Sequence, residues 1–262
     1  MKVAFWNAVS LSDNVTNHVA AIGTILSLEF KCEVVLGSNF ISNRMLQDCF
    51  YSKIKEAGVA HAPYRLLYES PEYNTALWQM KKNRQGNILE IPMDGITIIF
   101  PPDVTENSMF YFEVPCSAIY LLDMAEENSI AFQRALEEAE LVIVFLPPQI
   151  TEIQKFFIRF SSLIPKAIFV IEDISKDKKE IYDFLASKYG ISTENIGSIS
   201  HSNEYVDACE EGRLSDFINQ RRKQMTKRAK HNFLSELKSI AELLYRRSKY
   251  KGEEEDKNEQ KL

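Results

Sequence analysis

Short apolar runs alternate with amphipathic stretches along residues 1–218 of this chain, and that alternation leaves few folds open. The runs at residues 2–8, 33–37, 117–123, 141–146, 167–171 and 196–199 are apolar at successive positions and short, which predicts strands covered on both faces. Helical patterns lie between them at residues 17–29, 43–58, 75–82, 128–139, 150–163 and 178–189, the last closed by Gly190. Residues 86–92 and 96–100 read as two further strands joined through Met93, Asp94 and Gly95. Such strand–helix–strand units wind into a three-layer, doubly wound α/β domain with a mainly parallel sheet. A ligand site in that architecture lies at the carboxyl ends of the strands near the first one.

Composition narrows the function classes. With 262 residues, 45% of them apolar, the chain can bury a large core. A formal charge of −6 argues against a surface that is nucleic-acid binding throughout. Cys32, Cys49, Cys116 and Cys209 are scattered without a CxxC spacing and read as reduced, mostly buried thiols. His18, His61, His201 and His231 have no companions at ligand spacing, so no metal site is expected. The pair Ser200 and His201 stands without a Gly-x-Ser-x-Gly turn, which sets aside a nucleophilic hydrolase. No secretory leader is recognisable, and no apolar run approaches the roughly 20 residues needed to span a bilayer. A cytoplasmic protein is expected, peripheral at the inner membrane face at most.

The segment after the first strand, from Val9 through Ser10, Leu11, Ser12, Asp13, Asn14 and Val15 to Thr16, has the layout of a phosphate-binding loop but little of its chemistry. Such a loop uses glycines to curl N–H groups around phosphates, a lysine to reach the β and γ oxygens, and Ser or Thr to hold Mg²⁺. Here serines, Asp13 and Asn14 replace the glycines, Val15 takes the lysine's place, and only Thr16 keeps its type. The plainer reading is a strand turning into a helix with Thr16 or Asn14 as N-cap. Asp123 ends an apolar strand, as an acidic Mg²⁺-side residue would, and also as many parallel strands do.

Beyond residue 218 the composition changes. Arg221, Arg222, Lys223, Lys227, Arg228 and Lys230 lead into a basic helix in which Phe233, Leu237, Ile240 and Leu244 fall on one side. That helix has three readings: it packs on the domain, lies on an anionic membrane, or binds a partner helix or nucleic acid. The expected organisation is therefore an α/β domain at 1–218, a basic amphipathic helix at 219–250, and a disordered charged tail at 251–262.

Several segments have a common texture: Lys2-Val-Ala-Phe-Trp6 before the loop, Ala20-Ala21-Ile22 in the first helix, Val34-Val35-Leu36, Ile98-Ile99-Phe100-Pro101, and Leu121-Leu122-Asp123. Glu138-Ala-Glu-Leu-Val-Ile-Val144 and Asp207-Ala-Cys-Glu-Glu-Gly212 follow later. In this order they resemble the ParA/MinD family of deviant phosphate-loop ATPases, most closely the TadZ/CpaE-like branch of Flp pilus systems. The resemblance implies the three-layer phosphate-loop NTPase fold. It places the family's signature lysine on Ser10, its phosphate lysine on Val15, its acidic pair on Gly37 and Asn39, and its base-contacting Asn on Glu172. Thr16 and Asp123 keep the two metal-side positions. The implied nucleotide site, made of Ser10, Ser12, Asp13, Asn14, Val15, Thr16 and Asp123, is vestigial, with no catalytic residue, metal or cofactor.

The function so implied is a pseudo-ATPase that scaffolds or localises pilus or secretion machinery at the cytoplasmic membrane face, with protein partners from that machinery and as a possible homodimer. The alternative is an ATPase with an atypical loop, binding ATP and Mg²⁺ for positioning or partitioning. Contact with membrane or nucleic acid would run through the basic residues at 221–230.

Overall fold

The computed structural model describes residues 1–8, 13–38, 46–50, 81–83, 86–91, 96–100, 118–124, 130–172, 178–224 and 233–259. Strand β1 (Lys2–Asn7) carries apolar side chains to both faces, Val3 and Phe5 to one core and Ala4 and Trp6 to the other, all fully or almost fully buried. A strand apolar on both parities belongs in the middle of a covered sheet, and β1 lies there.

The other strands are β2 (Val34–Ser38), β3 (Lys81–Asn83), β4 (Gly86–Ile91), β5 (Ile96–Phe100), β6 (Ile119–Met124), β7 (Leu141–Leu146), β8 (Ala167–Glu172) and β9 (Ile196–Ile199). They form one sheet in the order β3-β4-β5-β2-β6-β1-β7-β8-β9. From β5 to β9 every pairing is parallel, and β4 and β3 extend the sheet antiparallel beyond β5. The chain leaves β1 toward β2 on one side, and later passes from β6 to β7 across β1. The winding therefore reverses around β1, and the crevice that such a reversal opens lies above its carboxyl end.

Helix α1 (Asp13–Phe30) covers one face, together with α5 (Asn203–Glu210), α6 (Leu214–Gln224) and α7 (Phe233–Glu259). On the other face, α2 (Ile130–Glu138), α3 (Ile150–Phe160) and α4 (Lys178–Tyr189) close a core around Trp6, whose ring lies 4.9 Å from Phe132 and 5.4 Å from Phe156. The expected three-layer α/β architecture is the one observed. Gly190 ends α4 with φ +67°, a left-handed position where glycine has no steric penalty.

Four local expectations differ from the structure. Helix α1 begins at Asp13 rather than at residue 17, because the polar Asp13 and Asn14 favour the first turn of a helix as well as a loop. Lys81–Asn83, expected within a helix at 75–82, form β3 and pair with β4; residues 75–80 lie outside the described residues. A short lysine-bearing strand suits a sheet edge. Of the helix expected at 43–58, Leu46–Phe50 form a 3-10 turn, and the rest lies outside the described residues.

The fourth difference concerns the C-terminal region. The stretch given as one helix at 219–250 comprises α6, ending at Gln224, and α7, which continues to Glu259 through the segment expected to be disordered. Glu and Lys are good helix formers, so this charged stretch prolongs a helix anchored upstream.

Helix α7 is docked by its apolar stripe. Leu234, Leu237, Ile240, Ala241 and Leu244 are all buried in the core shared with α1 and β9. Ion pairs and hydrogen bonds flank the stripe. Lys238 meets Glu29 on α1, and Arg247 donates to Asn195 Oδ1 at 2.5 Å. Glu236 accepts from Ser200 N at 2.7 Å and from Lys178 Nζ at 2.5 Å. Cys49 and Cys209 are buried; burial pushes the half-buried Cys32 thiol up from its ordinary pKa, against the opposing pull of Lys249.

Removing a fully buried leucine leaves a cavity, so Leu237→Ala should cost about 2–5 kcal/mol in urea unfolding. By contrast, Lys223→Ala, at an exposed position, should stay within about 0.5 kcal/mol. Equal, small losses would mean that α7 is not part of the folded core.

Candidate functional site

Three strand ends and the start of α1 meet above β1. Residue parity puts Asp123 on the same face as Ile119 and Leu121, toward α1, and the parallel register sets it beside Phe5 of β1 and Ser38 of β2. There it accepts a hydrogen bond from Thr16: Oγ1 donates to Asp123 Oδ2 at 2.6 Å. Both residues are nearly inaccessible, Thr16 at 4% and Asp123 at 3% exposure. A buried carboxylate is tolerable only where donors meet it, and α1 presents one in its first turn.

The other side of β1 is organised around Glu172, the last residue of β8. Its Oε2 accepts from Asn7 Nδ2 at 3.3 Å, and its Oε1 lies 3.2 Å from His18 Nε2. His18, at 5% exposure, stacks on Phe145 and on Tyr205, whose hydroxyl is 3.3 Å from His18 Nδ1. Next to His18, Asn17 accepts from the Cys49 thiol at 3.4 Å.

The site residues named from sequence divide accordingly. Thr16 and Asp123 are brought together. Val15 is 3% exposed and belongs to the apolar core around α1. Asp13 and Asn14 open α1, while Ser10 and Ser12 lie outside the described residues. His201 is exposed and pairs with Asn203 Oδ1 at 2.7 Å. Among the described residues no group of three His, Cys, Asp or Glu is placed to hold a metal.

Gly37 of β2 faces the opposite core, against Tyr120. A Cβ built on it would stand 2.4 Å from the Tyr120 hydroxyl oxygen and 2.7 Å from the ring. Since real Cβ contacts are never that short, any side chain here, a carboxylate included, would have to displace the buried Tyr120.

No protein-family model matches the sequence, and no curated protein is significantly similar to it. Solved structures are similar in fold. The MinC:MinD cell division protein complex from Aquifex aeolicus superposes with a TM-score of 0.59 at 13% identity, covering 93% of this chain and 95% of that one. A ParA family ATPase from Chlorobium tepidum gives 0.54 at 13% identity, covering 92% and 98%. The septum site-determining protein MinD from Pyrococcus horikoshii, complexed with Mg-ADP, gives 0.55 at 11% identity, covering 93% and 96%. This is the MinD/ParA ATPase fold.

A MinD/ParA fold raises the question of whether these residues suit a Mg-nucleotide. A triphosphate needs N–H donors and cations. Val15 offers an apolar side chain enclosed in the core, and the Glu172 carboxylate adds negative charge at the neighbouring strand end. The described residues do not fit a triphosphate, although a Thr hydroxyl and a carboxylate in contact are the donor types a hard cation takes.

Sequence reasoning missed Asn7, His18 and Tyr205. They gather on Glu172 across 165, 154 and 187 residues of separation, directly or through His18, and no local pattern announces such pairings.

Thr16→Val should cost about 1–3 kcal/mol of unfolding free energy, the usual effect of leaving a buried acceptor without its donor. Combined with Asp123→Asn, the loss should fall short of the sum of the two single losses; strict additivity would show that the contact carries no coupling.

Proposed function

We propose that the protein is a pseudo-ATPase on a MinD/ParA fold, which keeps the scaffold of a nucleotide switch and works by binding other proteins. The observation that carries this reading is Val15, sealed in the core immediately before Thr16, where the resemblance places a phosphate-reaching lysine. Losing one charge-assisted contact removes about 1.5–3 kcal/mol, or roughly 10- to 150-fold in affinity. The loss of an acidic residue at Gly37 and the carboxylate at Glu172 point the same way.

The role proposed is a scaffold or localisation factor for pilus or secretion machinery at the cytoplasmic membrane face, following the TadZ/CpaE-like resemblance, with partners from that machinery and association into dimers. Among the described residues no helix is long and apolar enough to cross a membrane, so attachment there would be through partners or the surface. Direct attachment by α7 is disfavoured because its apolar stripe is already buried. Part of the basic run is also engaged: Arg221 pairs with Glu204, and Arg222 donates to Leu28 O at 3.3 Å. Lys227, Arg228 and Lys230 lie outside the described residues.

The 2.6 Å contact between Thr16 and Asp123 favours one second reading, an ATPase with an atypical loop in which these two residues face Mg²⁺. Titration calorimetry with Mg-ATP separates the two. The pseudo-ATPase should show no micromolar binding and no turnover. Micromolar binding with hydrolysis that Asp123→Ala abolishes would establish the ATPase instead.

A further inference from the structure

Beyond the nucleotide question, the groups around Glu172 form an unbroken run from the cleft to the C-terminal helices. His18 Nε2 lies 3.2 Å from Glu172 Oε1, within hydrogen-bonding distance. On the other side of the ring Nδ1 lies 3.3 Å from the Tyr205 hydroxyl, a group that can donate or accept. The His18 ring of α1 thus bridges a side chain of β8 and one of α5.

The ring is held in place on both sides. Its centroid lies 5.1 Å from that of Phe145 and 5.7 Å from that of Tyr205, with interplanar angles of 23° and 2°. Tyr205 in turn lies 4.4 Å from Phe233 at the start of α7 and 6.2 Å from Phe217 on α6. Glu172, with its side chain 15% exposed against 6% for His18, is the end of this run that an entering group meets first.

Buried polar chains generally stabilise less than apolar packing of the same volume, and their attested use is to impose specificity or couple elements. This one joins β1, β8, α1 and α5, and ends on the aromatic contact that seats α7. We propose that the chain from Asn7 through Glu172 and His18 to Tyr205 is a conformational relay. A group that engages Glu172 in the cleft competes with His18 for its carboxylate and loosens the His18 contact. The His18 ring then shifts against Tyr205, and the packing of α5, α6 and α7 changes. The relay stands whether or not the cleft takes a nucleotide.

Hydrogen–deuterium exchange of the full chain tests it, using Glu172→Ala to break the run at the cleft and Tyr205→Phe to remove only the far hydroxyl while keeping the ring. Each single variant should speed exchange in residues 203–224 and 233–245 by about tenfold, the scale of coupled networks. The double variant should exchange no faster than the faster single one. Thr16→Val, which breaks a different buried contact of α1, should speed exchange evenly across the core, in line with its loss of global stability, without singling out those segments.

Should Glu172→Ala fail to fold, Glu172→Asp, which withdraws the carboxylate by one methylene, replaces it in the same cycle. Three results would overturn the relay: an effect of the Glu172 variant confined to the ends of β1 and β8, additive behaviour with Tyr205→Phe, or the same selective change from Thr16→Val.

Discussion

The burial of β1 on both faces and both edges is the constraint from which the site follows. With β6 on one side and β7 on the other, all parallel, β1 has no free edge, and its side chains fill two separate cores. Its carboxyl end is therefore fixed in space. The chain emerging there must turn back over the sheet as α1, and the reversal of winding around β1 brings the ends of β6 and β8 within reach of that helix. Asp123 and Glu172, which belong to strands on opposite sides of β1, each find a side chain of α1: Thr16 for one, His18 for the other.

Two carboxylates at the carboxyl ends of strands on either side of β1 set the chemistry of the cleft. A MinD/ParA fold that binds phosphates must present positive potential there, from N–H groups and lysine. Here the helix start gives Val15 to the core, and Glu172 occupies the strand end with both oxygens engaged. The changes are mutually consistent in space. Tyr120 fills the volume over Gly37, so the β2 end has no room for a carboxylate without repacking the core beneath.

The sheet was legible because its strands are apolar on both parities, a pattern set by burial alone and readable without knowing any partner. The same reasoning placed Thr16 and Asp123 at a helix start and a strand end, positions fixed by the order of elements. It failed where a contact depends on register between distant segments. His18 reads in sequence as a lone histidine, and only the parallel pairing of β1, β7 and β8 brings Glu172 and Phe145 to it. It failed also where propensity and charge disagree: the acidic and basic residues past 250 suggest a solvated tail, but they are helix formers attached to a docked helix, and α7 runs on to Glu259.

The docking of α7 decides how the basic C-terminal region can act. An amphipathic helix has one apolar face, and when Leu237, Ile240 and Leu244 are buried against α1 and β9 that face is no longer available to a bilayer or a partner helix. What remains outward is charge, and part of it is neutralised locally by Glu29, Glu204 and Glu242. Surface pairs of this sort contribute little to stability, so their consequence is electrostatic: they reduce the positive field that a polyanion would sense.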